Sequence, residues 1–179
     1  MKEVEHQKEI LEKIEKANSE EYETSWDEKG IPTSKKKSKI SSGKSARARG
    51  ARFELKVREN LNQKGWIVDK WTNNVDLEQN KVILAKRVYN PFKRALVIGT
   101  GFPDFIAIKH VHDDVFNVLG VEVKTNGLLS KTEKEKCAWL LQNKIFAEIW
   151  IASEKKVGRK IVIYYDDFKE RYGKYFEKE

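Results

Sequence analysis

The chain has 179 residues, 39% hydrophobic and 36% charged, with a formal charge of +8. That length favours one domain with appendages and allows a real core, while no apolar run nears the roughly 20 residues that span a bilayer. A single cysteine, Cys137, excludes an intrachain disulfide and a cysteine-built zinc site, and the positive surplus points to a polyanion, nucleic acid before lipid.

Val4, Ile10, Leu11, Ile14 and Ala17 give the first eighteen residues a thin helical stripe. A helix that short must fray, dock on the body or pair with a second copy. From Met1 to Gly30 ten acidic residues stand against five basic ones; from Ile31 to Asn60 ten Lys and Arg stand against only Glu54 and Glu59. The stretch Asn18–Ser45 has few aliphatics and reads as a linker or mobile basic arm. Residues 1–44 are therefore set apart from a domain over 45–179. That domain opens with a helix carrying Ala51, Phe53, Val57 and Leu61 and ended by Gly65. Strands are expected over Trp66–Trp71, Val82–Val88 and Leu96–Ile98, with a turn at Asn90-Pro91.

Phe105–Ile108 and Val115–Lys124 read as a hairpin across His112-Asp113-Asp114. Ser130 or Thr132, each with a glutamate three residues on, caps a helix that runs to about Asn143 and buries Cys137, Leu140 and Leu141. Strands follow at Ile149–Ala152 and Ile161–Tyr165. Asp166 or Asp167 then caps a short terminal helix bearing Phe168, Tyr172 and Phe176. The order argues for an α/β sandwich around a mixed sheet. The N-terminus has no apolar stretch that could serve as a signal peptide, so the expected compartment is cytoplasmic and reducing.

The most informative segment is Gly101-Phe-Pro103-Asp104, an apolar strand, a polar turn, then Gly120-Val-Glu122-Val-Lys124. Two carboxylates and a lysine on neighbouring strands can converge on one small site. Such oxygen ligands suit Mg²⁺, and a lysine beside them supplies a compact positive charge for a water or a phosphate oxygen. Singly, each residue has a plainer reading: Asp104 as a turn residue, Glu122 and Lys124 as a strand's wet face, Glu54 as a partner of Arg58.

Jointly, the helix with Glu54, Pro103-Asp104, Glu122-Val123-Lys124 and the capped helix before Ile149-Trp-Ile-Ala152 resemble the PD-(D/E)-x-K nuclease superfamily. Within it, Gly50-Ala-Arg-Phe53-Glu54, Gly65-Trp-Ile-Val68 and Asp104-Phe-Ile-Ala107 are similar to archaeal Holliday junction resolvases, over residues 47–153. The helix with Trp139 resembles virus-type (VRR) nucleases, although Lys136 stands where those often carry glutamine. The segment Asn73–Thr100 is longer than a resolvase leads one to expect. The resemblance implies a restriction-endonuclease-like mixed β-sheet flanked by helices, with an N-terminal helical and basic extension. It implies a Mg²⁺-dependent endodeoxyribonuclease, Mn²⁺ substituting, acting on DNA and at branched or junction structures as one expected substrate. Asp104, Glu122 and the Val123 carbonyl would hold the ion, and Glu54 a water at the metal or a second ion. Lys124 would orient and help deprotonate the attacking water, or offset charge on the phosphorane. Resolvases are similar in working as homodimers. The alternatives are a non-catalytic nucleic-acid-binding module on the same fold and an RNA endonuclease.

Lys35, Lys36, Lys37, Lys39, Lys44, Arg47, Arg49 and Arg52 form the expected phosphate-binding arm, with a merely solvated tail as the plain alternative. Lys86-Arg87 and Lys93-Arg94, flanking Tyr89 and Phe92, could extend the groove. Gly43-Lys44-Ser45 is no Walker A motif, because Ser38 stands where glycine is needed. His110, His112, Asp113 and Asp114 offer metal ligands at a turn, without the further His or Cys a structural zinc site needs. Cys137 reads as a small core residue, and Gly99-Thr100-Gly101 as a tight turn or a close backbone approach.

Overall fold

The computed structural model describes residues 2–26, 32–85, 87–90, 95–98 and 101–176. Its elements in chain order are α1 (Lys2–Asn18), β1 (Tyr22–Trp26), β2 (Pro32–Lys36), α2 (Lys37–Gln63), β3 (Ile67–Lys70), β4 (Asn73–Asp76), β5 (Lys81–Leu84), β6 (Arg87–Asn90), β7 (Ala95–Ile98), β8 (Phe105–His112), β9 (Val115–Val123), α3 (Lys131–Gln142), β10 (Glu148–Val157), β11 (Lys160–Asp167) and α4 (Phe168–Arg171). Among the described residues no helix is long and apolar enough to cross a membrane. The chain divides into two compact units, Met1–Ala51 and Arg52–Glu179, and the division falls inside α2.

In the first unit the linker expected over Asn18–Ser45 is corrected. Tyr22–Trp26 pairs antiparallel with Pro32–Lys36, and Lys37 begins a helix well before Ser45. Little of this depends on apolar burial, which is why periodicity missed it. Thr24 Oγ1 and Ser34 Oγ meet at 2.9 Å, Glu23 stands opposite Lys35, and the Lys37 amide donates to the Glu21 carbonyl at 2.8 Å. The α1 stripe remains exposed at Ile10, Leu11 and Ile14.

The second unit is an α/β structure around a five-stranded sheet, ordered β11-β10-β9-β8-β3. β9 and β10 are parallel and the other pairs antiparallel, so the sheet is mixed. Phe53, Val57 and Leu61, four apart on α2, are buried in one cluster with Val68, Phe105, Ala107, Leu119, Val121 and Ala152. Full burial of each such side chain contributes about 1.5–3 kcal/mol. The other cluster joins Cys137, Leu140 and Leu141 of α3 to Ile149, Ile151 and Phe168. Strand alternation sends Val121 and Val123 to the α2 cluster and so turns Glu122 to the α3 face, beside Ile151 in register.

The expected strand over Val82–Val88 is two strands, β5 and β6, in separate two-stranded sheets with β4 and β7. The described residues of the long segment between the helix and the aspartate thus form two antiparallel strand pairs, β4 with β5 and β6 with β7. The β4–β5 hairpin is tied to α3: Lys136 Nζ donates to Asn74 Oδ1 at 2.8 Å, the Trp139 indole donates to Asn80 Oδ1, and Val75 enters the core. The turn expected at Asn90-Pro91 lies outside the described residues beyond Asn90, as do Lys86, Phe92, Lys93, Arg94, Gly99 and Thr100. Ser130 caps α3 in a capping box with Glu133, and Asp167 caps α4. Tyr172 and Phe176 lie beyond the four-residue α4 yet pack on the α3 cluster.

Candidate active site at the end of the sheet

β8 begins where β9 ends, because the two are antiparallel, and that brings Asp104 beside Glu122 and Val123. The peptide bonds lock the pair together. The Asp104 amide donates to Glu122 Oε2 at 3.2 Å, and the Val123 amide donates to Asp104 Oδ2 at 2.9 Å. Each carboxylate is therefore fixed by the other's strand. Lys124, one residue past β9, is held by its own amide on the Ala152 carbonyl at 2.9 Å. Its ammonium lies 2.9 Å from Glu122 Oε1 and 2.7 Å from Glu133 Oε1. Two glycines shape this end of the sheet: Gly101 runs against the Trp71 and Asn73 carbonyls, and Gly120 lies beneath the Pro103 ring.

Glu133 is the site residue that sequence reasoning missed. It was visible only as a helix-capping glutamate. One of its oxygens accepts from the Ser130 amide at 2.7 Å, completing the cap, while the other takes the Lys124 ammonium. The usable signal is a capping box shortly after a strand that ends in lysine. Glu54 approaches from α2 and pairs with Lys70 of β3 at 3.6 Å, not with Arg58, which faces Asp69 at 3.7 Å. The charge of Glu54 also raises the affinity of Asp104 for its proton.

Burial sets the electrostatics. Glu122 is 3% exposed. Desolvation and then the Asp104 charge push its carboxyl up to about 8. Asp104 is likewise raised, by burial first, although its hydrogen bond from Val123 works the other way. Partial burial pulls Lys124 down, but Glu122 and Glu133 outweigh it and hold the ammonium above its ordinary range. For Glu133 desolvation is outweighed by hydrogen bonds from Lys124 and Ser130, so its carboxyl lies low. Four carboxylates, Asp104, Glu122, Glu133 and Glu54, thus face two ammonium groups, Lys124 and Lys70.

The donor set fits a hard divalent ion of the Mg²⁺ type. Asp104 Oδ1 has no protein hydrogen bond among the described residues, and Asp104 and Glu122 supply rigid oxygen donors. No group of three or more His, Cys, Asp or Glu among the described residues is arranged as a metal cage. Mg²⁺ ordinarily takes one or two carboxylates and completes its shell with water and phosphate, so two suffice. Zinc at the β8–β9 turn is not supported: His110, His112, Asp113 and Asp114 are exposed at the far end of the hairpin, where His110 Nε2 meets the Asp113 carbonyl at 2.7 Å. Cys137 is buried, and desolvation raises its thiol well above the ordinary range, against a nucleophilic role.

The expected nucleic-acid residues separate into groups. Lys35, Lys36, Lys39, Lys44 and Arg47 line one cleft of the first unit, which Lys37, Arg49 and Arg52 do not. Arg87 is exposed on β6, and Arg94 lies outside the described residues. Comparison of the chain with protein-family models, curated proteins and solved structures finds no match.

Two outcomes follow from this geometry. Glu133→Ala removes both cap and lysine partner, whereas Ser130→Ala removes the cap alone, at about 1 kcal/mol. If the site is catalytic, Glu133→Ala should slow cleavage about tenfold or more through misplacement of Lys124, while Ser130→Ala leaves it within about twofold. Equal losses in both variants would reduce Glu133 to a capping residue.

The second concerns pH. Glu122 and Asp104 hold their protons more tightly when folded, so the folded state binds more protons than the unfolded one as pH rises above the ordinary 4.5 of a glutamate. Stability therefore falls between about pH 4.5 and about 8, and the loss is complete above that. The contributions of Glu133, present above its ordinary 4.5, and of Lys124, present below its ordinary 10.5, are retained across that window. The metal-free Tm should decline from about pH 5 to about pH 8, and Mg²⁺ should restore more at the higher pH, where it displaces no proton. A flat metal-free profile would contradict the linked carboxylates.

Proposed function

We propose that this chain is a Mg²⁺-dependent nuclease of the PD-(D/E)-x-K type that hydrolyses DNA phosphodiester bonds. The observation that carries the reading is the locked pair Asp104–Glu122 with the Lys124 ammonium 2.9 Å from Glu122. Asp104, Glu122 and the Val123 carbonyl would hold the ion, and Mn²⁺ would serve in its place. When bound, the ion supplies Lewis acidity and positive charge against the developing charge on the phosphate.

The chain's own residues do the rest. Glu122 and Glu133 keep Lys124 protonated, which suits it to donate hydrogen bonds to the attacking water and to offset charge, rather than to take a proton. Glu54 is within electrostatic reach of Asp104 and would hold a water on the α2 side. The likeness of residues 47–153 to junction resolvases directs the reading to branched DNA, with a homodimer presenting two sites.

A second reading has its own support. Lys124 is already paired with two carboxylates, a closed arrangement that needs no metal. A binding module on the same fold would look like this. Labelled four-way junction, flap, linear duplex, single-stranded DNA and RNA, each with Mg²⁺, Mn²⁺ or EDTA, separate the readings. Metal-dependent cuts in DNA, symmetric on the junction, are expected. Binding without cutting on every substrate favours the module, and cutting of RNA alone overturns the DNA assignment.

A further inference from the structure

The N-terminal unit contains a cleft of about 810 Å³ built wholly from its own elements. Lys16 of α1, Lys35 and Lys36 of β2, and Lys39, Lys44 and Arg47 of α2 line it. Against these six cations the lining offers one carboxylate, Glu23. Lys35, Lys39, Lys44 and Arg47 form no ion pair among the described residues, while Lys16 has only the exposed Glu12 at 3.5 Å. The α2 contribution is a single face, Lys39, Ile40, Gly43, Lys44 and Arg47, at helical spacing. Uncompensated charge gathered on a concave surface calls for a polyanion.

Aromatic rings say which kind. Tyr22 lines the cleft with Lys36 5.7 Å from its ring centre. Trp26, further along β1 on the same face by strand alternation, is 66% exposed. Trp26 is not itself a lining residue, but it extends the Tyr22 face of β1 past the cleft. Cations that follow a backbone, with rings free to stack on bases, are the combination that binds unpaired strands. A duplex keeps its bases stacked inward and would use the cations alone. We propose that this cleft grips an unpaired DNA strand, Trp26 stacking on a base, as a docking site separate from the Asp104–Glu122 pair. The inference deepens the proposed nuclease reading by naming the DNA form, and its test does not depend on cleavage.

The test uses the full chain in EDTA, with fluorescence anisotropy of labelled oligo-dT and of a duplex of the same length, from about 50 to about 200 mM salt. Oligo-dT should bind with a salt slope near −4, the value for about six backbone contacts on a single strand. The triple variant Lys39→Glu/Lys44→Glu/Arg47→Glu should reduce that slope by about 2 and remove most affinity. Lys37→Glu/Arg49→Glu changes charge on α2 outside the cleft and should bind much closer to the wild type. Trp26→Ala should weaken oligo-dT roughly tenfold and leave duplex binding nearly unchanged. Circular dichroism of each variant guards against simple unfolding.

Equal losses from the in-cleft and off-cleft reversals would overturn the cleft and leave net charge as the cause. An equal effect of Trp26→Ala on duplex and oligo-dT would overturn stacking. Binding to anionic phospholipid vesicles with none to oligo-dT would overturn the nucleic-acid assignment. Cleft-dependent binding by a chain that cuts nothing would uphold the docking site while the nuclease reading fell.

Discussion

Gly101→Ala should cost about 3–5 kcal/mol of stability, since its added methyl meets the tightest contact of any described glycine. A Cβ there would overlap the Trp71 carbonyl oxygen outright and stand 2.7 Å from that of Asn73. These are backbone atoms with little room to retreat: the Phe102 amide donates to Asn73 at 2.8 Å, and the Trp71 amide to Asp104 at 3.2 Å. Withdrawal would strain both bonds, each worth about 0.5–1.5 kcal/mol, and would drag Asp104 out of place. Gly120→Ala is the informative contrast. Its Cβ would meet side chains, Pro103 Cγ at 2.8 Å and Phe146 Cδ2 at 3.3 Å, so about 1–3 kcal/mol is expected. Urea unfolding at constant m measures both. A loss below about 1 kcal/mol for Gly101→Ala would contradict the close approach.

Glu122→Gln should lower cleavage about a thousandfold or more, since the lost charge removes several kcal/mol of interaction with the ion. The same substitution should hold or raise the Tm near pH 8. Removing one partner of a buried ion pair ordinarily costs about 3–5 kcal/mol because the other charge is stranded. Here Lys124 keeps Glu133 at 2.7 Å and is 28% exposed, so it is not stranded. Asp104 meanwhile sheds a like charge, and the glutamine carbonyl still accepts from the Asp104 amide. The two readouts moving in opposite directions would mark Glu122 as a site residue kept against the interest of the fold. A matching fall in Tm would make it a structural group instead.

The site was legible where local pattern and tertiary packing agree. Phe105 to Ile108 is an unbroken apolar run, Val115 to Val123 has enough apolar residues for one strand, and the polar turn between them marks a hairpin. Its register, which shifts at a bulge between His110 and His112, comes from the folded pairing and brings Asp104 to Glu122 and Val123. Ser130 announced α3 because capping is local chemistry. What stayed hidden depends on contacts across the chain. Glu133 sits nine residues from Lys124, and only the folded loop brings them to 2.7 Å. The β1–β2 pair has little apolar content to betray it, being made by backbone pairing and a hydroxyl contact. Likewise β4, Asn73–Asp76, has one buried apolar residue, Val75, and its order comes from α3 through Asn74 and Lys136. Lys37 to Gly50 looked like an arm because its charges suggest solvent, whereas Lys, Arg and Ala are also good helix formers.

The most direct measurement is cleavage of a labelled four-way junction by the full chain in Mg²⁺ and in EDTA, with Glu122→Ala alongside. The account predicts cuts by the wild type in Mg²⁺ alone, and none by Glu122→Ala even where it binds the junction as tightly. Cleavage surviving in EDTA, or undiminished in Glu122→Ala, would contradict a metal-dependent centre at Asp104 and Glu122.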